Sequence, residues 1–273
     1  MAWSEKKFYA EIVMHISVMF SMMALNQQAF VIALTHYLWI LSKARQLIYL
    51  RVLAGIILQI AFYALFLLGP VPGFDWPDAT AWLGTYFVIN LATSFWITAK
   101  YPSSMEARLE FSFQRQPRED RLATLLLISA LCIVVSMNAI DVFYLKFFWM
   151  PSQFWKISGL AISIVGYLII VFTIIQNEFA QSVVNIQDDR NQVLIDKGLY
   201  AVVRHPMYLG LLVWLFGMSL WLGSIATALF GNAILFLALL PRILIEEKTL
   251  AINLEGYEDY MDRVQSRIIP QIF

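Results

Sequence analysis

Apolar runs of about 20 residues alternate along this chain with short polar segments, many of them basic. A helix needs about 20 apolar residues to cross the hydrocarbon of a bilayer. On that ruler the pattern predicts seven spans, at 17–41, 47–68, 79–98, 121–143, 155–176, 207–221 and 224–244. The sixth is short, and Leu222-Gly223-Ser224 joins it to the seventh as a tight hairpin. Gly69-Pro70-Val71-Pro72-Gly73 reads as a turn between the second and third. Beyond the seventh, Gly256 ends a helix. Glu258–Val264 then forms a short amphipathic piece, with Tyr257, Tyr260 and Val264 on one side, lying along the membrane surface. The expected fold class is all-α: a polytopic membrane helical bundle with a short amphipathic C-terminal segment.

Composition supports this reading. The chain is 60% hydrophobic and 14% charged, where soluble domains are about 45–50% apolar and about 25% charged. Net charge is zero, which gives no electrostatic case for a nucleic-acid partner. The single Cys132 excludes an internal disulfide and a cysteine-rich metal site, so no metal is expected. Lys6 and Lys7 precede an apolar stretch, but Glu5 and Glu11 are foreign to a signal peptide; a retained first helix is expected. Basic residues follow the first, third, fifth and seventh spans. By the positive-inside rule, 42–46, 99–120, 177–206 and 245–273 are expected on the cytoplasmic side. Gly159, Ser163 and Gly166 share one face of the fifth span and predict close approach of another helix.

The candidate chemistry concentrates after Asn177. Gly198 can adopt a positive φ and turn the chain back towards the membrane, and Tyr200 and Tyr208 suit the interface. In Arg204-His205-Pro206-Met207-Tyr208, Pro206 fits the first turn of a helix. His205 then stands at a helix start that favours an anion. Glu246 and Glu247 close the seventh span on the same side, and Arg242 lies one turn earlier on the face of Glu246. Ionisable groups at a bilayer edge mark a site by default. Arg242 suits the orienting of an acceptor carboxylate; pairing with Glu246 or with a lipid headgroup is the plainer reading. Glu247 suits tuning or deprotonating a neutral acceptor.

At these residues the sequence resembles the isoprenylcysteine carboxyl methyltransferase family, a group of membrane enzymes with phospholipid N-methyltransferases as relatives. The resemblance rests on Gly198-x-Tyr200, Arg204-His205-Pro206-x-Tyr208-x-Gly210, Glu246-Glu247, Leu250, Gly256-Tyr257, Tyr260, Val264 and Arg267-Ile268-Ile269-Pro270. It implies S-adenosylmethionine as methyl donor, held by Gly198, Tyr200, Arg204, His205, Tyr208 and Glu246. The acceptor it implies is small or lipid-borne: a carboxylate, thiol or amine. It divides the chain into a donor-binding core, 151–273, and N-terminal helices, 1–150, on the acceptor side. The carboxylates and aromatic faces agree with a sulfonium donor, and no Gly-x-Gly pair occurs to hold a nucleotide in the soluble manner.

Two other functions fit parts of the pattern. One is a membrane enzyme like the sterol reductases, with NADPH; the other is a transporter or scaffold without catalysis. The expected location is an integral membrane position with the cofactor site facing the cytoplasm, in a bacterial inner membrane. His15, His36 and Asn26-Gln27-Gln28 read as interhelical or interfacial polar groups, Asn90 and Asn138 as packing residues, and Asp188-Asp189-Arg190 as a solvated turn. Phe179 and Val183–Ile186 predict that this loop re-enters the interface.

Overall fold

A computed structural model of the chain describes residues 27–109, 118–179 and 192–273. The expectations for His15, Asn26, Val183–Ile186 and Asp188–Arg190 lie outside the described residues, as do the side-chain surroundings of Gln27, Gln28 and His36. The chain divides into two compact units, Met1–Arg51 and Val52–Phe273. The described part of the first is helical. In the second, the described residues form helices joined by turns, with no strand among them.

Helix α1 runs from Gln27 to Leu68. The loop expected at 42–46 is therefore absent: Lys43-Ala44-Arg45-Gln46 contains only good helix formers and no Gly or Pro to stop the helix. Helix α2 follows at Pro77–Lys100, with Pro77 opening it and Asp78 and Lys100 at the ends that suit their charges. The short α3 covers Pro102–Leu109. Helix α4, Arg118–Ile140, ends in a π-turn over Asp141–Leu145. Helix α5 is Gln153–Gln176, and α6 is Pro206–Leu222. Helix α7, Asn232–Asn253, is entered through a second π-turn, and the last helix, α8, is Tyr257–Arg263.

Among the described residues, four stretches are long and apolar enough to cross a membrane: Gln46–Leu68, Asp120–Leu145, Gln153–Gln176 and Thr227–Asn253. Pro206–Leu222 is apolar but shorter. Helix α2 has the length, but Asn90, Thr93, Ser94 and Thr98 interrupt its apolar face. The architecture is a membrane helical bundle.

Helices α5 and α6 meet along glycines. A Cβ on Gly166 would lie 2.2 Å from the backbone nitrogen of Trp214, and one on Gly217 would lie 2.2 Å from that of Ser163. The small-residue face expected on α5 is this seam, where backbones touch because no side chain separates them. The hairpin after α6 turns at Gly223, φ +90°. Ser224 then caps the next helix: its Oγ accepts the Thr227 N–H at 3.1 Å and donates to Asp141 Oδ2 at 2.6 Å. Ser224→Ala removes that cap and the hydroxyl donor to Asp141 Oδ2, leaving the buried carboxylate with the Phe147 N–H on Oδ1 at 3.0 Å. It is expected to lower stability by about 1–2 kcal/mol, read by chemical unfolding in detergent; an unchanged midpoint would contradict this role.

Candidate active site

Helix α6 starts where the chain returns to the bundle. Gly198 takes the left-handed conformation, φ +63°. A Cβ there would strike the side chain of Gln176, whose Oε1 accepts the Leu199 N–H at 2.9 Å. Tyr200 follows. Its hydroxyl accepts from Asn177 Nδ2 at 3.0 Å, and its carbonyl accepts from the Tyr260 hydroxyl at 2.7 Å. Burial pushes the Tyr200, Tyr257 and Tyr260 phenols up, so all three remain neutral. The C-terminal segment is stitched alongside: the Arg204 N–H donates to Ser266 O at 2.9 Å and the His205 N–H to Arg267 O at 2.8 Å.

At this junction the two motifs far apart in sequence meet. Glu247, buried, accepts from Arg204 Nε at 2.8 Å, from His205 Nε2 at 3.2 Å and from Arg267 Nε at 3.0 Å. Arg204 also donates to the carbonyls of Val264 (2.9 Å) and Met261 (3.3 Å), tying α8 and its exit to the clasp. Glu246 points another way. Its Oε2 accepts from the Tyr208 hydroxyl at 2.8 Å, its Oε1 lies 3.9 Å from His205 Nδ1, and its side chain is 28% exposed. The rings of His205 and Tyr208 stack at 5.5 Å.

Arg242 completes the cluster from α7. Its Nε donates to the Tyr208 hydroxyl at 2.9 Å, and one terminal nitrogen reaches Thr124 Oγ1 at 2.6 Å and Asp120 Oδ1 at 3.4 Å on α4. Tyr208 thus stands between Arg242 and Glu246, which share a helix face as expected but are bridged by a phenol. The guanidiniums of Arg204, Arg242 and Arg267 thus stand among the carboxylates of Asp120, Glu246 and Glu247.

A cavity of about 490 Å³ opens beside this cluster, within the roughly 300–1,000 Å³ of small-molecule sites. One end is marked by Tyr208, Arg242, Thr124 and Arg108, the other by Tyr63, Tyr86, Asn90 and Trp214. Its walls between are Leu, Ile and Val side chains from α4 and α5. Sequence reasoning did not assign Asp120, Thr124 and Arg267 to the site. Asp120 and Thr124 are more than 100 positions from Arg242, with no local pattern to betray them. Arg267 lay within the resembling C-terminal stretch and offered a signal there.

Fold and site together define a membrane helical bundle that joins a charged pocket at a helix mouth to an apolar cavity inside the bundle. Comparison with known proteins finds a likeness over part of the chain: residues 154–255, from α5 through the Glu pair, match the family described as Phospholipid methyltransferase. Over 81 residues the chain is 33% identical to the Protein-S-isoprenylcysteine O-methyltransferase of Schizosaccharomyces pombe. That match takes in 29% of this chain and 34% of the relative, so the chain spans about a third of the curated relative it matches. The chain is similar over this stretch to phospholipid methyltransferases, and its resemblance to the isoprenylcysteine carboxyl methyltransferase family stands on both matches.

Proposed function

We propose that this protein is a membrane methyltransferase that uses S-adenosylmethionine at the α6–α7 cluster and methylates a lipid-borne acceptor held in the adjoining cavity. The observation that carries the reading is the partly exposed Glu246 beside the stacked rings of His205 and Tyr208. A carboxylate with aromatic faces suits a sulfonium and an ammonium group, and the match over 154–255 covers these three residues. S-adenosylmethionine would bring an electrophilic methyl group.

The roles follow from the contacts. Glu246, His205 and Tyr208 line the donor pocket, with Gly198 and Tyr200 shaping its rim. Glu247 and Arg204 are positioning residues: with three donors, two of them guanidiniums, around one carboxylate, Glu247 has no capacity left to act as a base, and it fixes His205 instead. Arg242 faces the cavity and, with Arg108, presents positive charge where an acceptor carboxylate would end. The methyl transfer needs the acceptor oxygen in line with the donor carbon and water kept out; a carboxylate is already anionic and needs no base. The Schizosaccharomyces pombe relative is an O-methyltransferase, which favours an oxygen acceptor here too. The site is proposed to face the cytoplasm, and the N-terminal helices to supply acceptor walls. A nicotinamide cofactor fits less well, because a carboxylate on the open side of the pocket repels its phosphates.

Detergent-purified protein is expected to bind S-adenosylhomocysteine in calorimetry. Glu246→Ala is expected to weaken that binding at least about tenfold, the scale of a lost charge-assisted hydrogen bond. Failure of the wild-type protein to bind would remove the enzyme reading. Unchanged affinity in the variant would remove Glu246 from the pocket.

A further inference from the structure

We propose that the inner end of the cavity recognises an oxygen atom in the body of the acceptor, so that the acceptor is a lipophile with a carbonyl or hydroxyl group partway along its apolar part. This rests on the reading of the cavity as the acceptor site. Polar side chains gather at that end, on the middle turns of α1, α2 and α5, where hydrocarbon alone would favour none. Most of them satisfy one another. Asn90 Nδ2 donates to Gln59 Oε1 at 3.0 Å, and Asn90 Oδ1 accepts from Ser94 at 3.0 Å and from Tyr167 at 3.2 Å. Thr93 and Tyr167 share a hydrogen at 2.7 Å. Bridging of helices accounts for this group fully.

Tyr63 does not fit that account. It is 3% exposed and lines the cavity, and its hydroxyl, which keeps some surface open to that space, donates to no group among the described residues. Its ring is fixed edge-on to Trp82, Tyr86 and Trp214, at 5.8, 5.7 and 5.5 Å. A phenylalanine would pack the same way. The hydroxyl therefore adds nothing to the aromatic core, yet its desolvation is unfavourable without an acceptor. A molecule in the cavity is the available source of one. Trp214, which touches Tyr63, stands six residues from Tyr208 on α6, which places the recognised oxygen roughly 10 Å from the charged end.

The test uses the full chain in nanodiscs, titrated with stearic acid and with its 8-, 10- and 12-oxo derivatives. These bring a carboxylate and a carbonyl at graded separations, and tryptophan fluorescence reads binding beside Trp82 and Trp214. At least one oxo acid is expected to bind about fivefold or more tightly than stearic acid, the scale of one added hydrogen bond. Tyr63→Phe, which keeps the ring, is expected to abolish that preference while leaving stearic acid affinity unchanged. Equal binding of all four acids to the wild-type chain overturns the proposal. So does a preference that survives Tyr63→Phe, as it would if the hydroxyl served only a buried water. S-adenosylhomocysteine affinity is measured in parallel: its absence alongside an intact oxo preference sinks the methyltransferase reading alone, and the converse sinks this proposal alone.

Discussion

Glu247→Gln is expected to destabilise the protein by about 3–5 kcal/mol, the range for breaking a buried ion pair from one side. The substitution keeps shape and removes charge. Arg204 and Glu247 are 6% and 7% exposed at the side chain, so the stranded guanidinium has no water to turn to. Arg267, 34% exposed, recovers solvent and contributes little to the loss. The effect spreads because Arg204 also holds the carbonyls of Met261 and Val264: the C-terminal segment and α8 are expected to loosen first, and donor binding to weaken with them. Thermal unfolding in detergent measures the main effect, and hydrogen exchange over 257–273 measures the spread. A double-mutant cycle with Arg204→Gln is expected to show coupling of about 1–3 kcal/mol. Independent, additive losses would mean that the clasp does not act as a unit.

Gly166→Leu carries the second large effect. A Cβ at this position would meet Trp214 N at 2.2 Å and Trp214 Cα at 2.6 Å. These are backbone or near-backbone atoms, and no rotamer change relieves them. Helices α5 and α6 must separate, at about 3 kcal/mol or more, the upper end for an overfilled core. Because α6 carries His205 and Tyr208 at its start and Trp214 in the cavity wall, donor binding and cavity shape are expected to fail together. Gly84→Leu serves as the control, since a Cβ there meets nothing within 4 Å. Equal tolerance of the two substitutions by size-exclusion profile and thermal unfolding would exclude the seam as a stabilising contact.

The periodic and punctuating signals in the sequence carried most of the fold. Pro206 opens α6, Gly223 turns the hairpin, and Gly198 and Gly256 take positive φ, because proline geometry and the missing Cβ act within a few residues. The meeting of His205 with Glu247 and of Tyr208 with Glu246 was legible because both motifs end apolar runs on one side of a hairpin. The division of labour between the two glutamates was not. Adjacent helical positions diverge by about 100°, so one carboxylate is sealed under α8 while the other looks outward, and only tertiary contacts decide which. Arg242 reads in the sequence as an acceptor-orienting group or as a partner of Glu246 or a lipid headgroup; its contacts with Asp120 and Thr124 on α4 had no signal there, because helix packing, not spacing, brings them near. At 42–46 the charges of Lys43 and Arg45 suggest a break, but helix propensity prevails and the helix runs through.

The glycine seam has a mechanical consequence. With backbone lying on backbone, Gln153–Gln176 and Pro206–Leu222 are bound to move as one rigid beam. That beam bears His205 and Tyr208 at one end and the Trp214 wall of the cavity further along. On the proposed function, a bulky acceptor is expected to enter by displacement of the opposite wall, α2 or α4, with the His205 and Tyr208 end held in place.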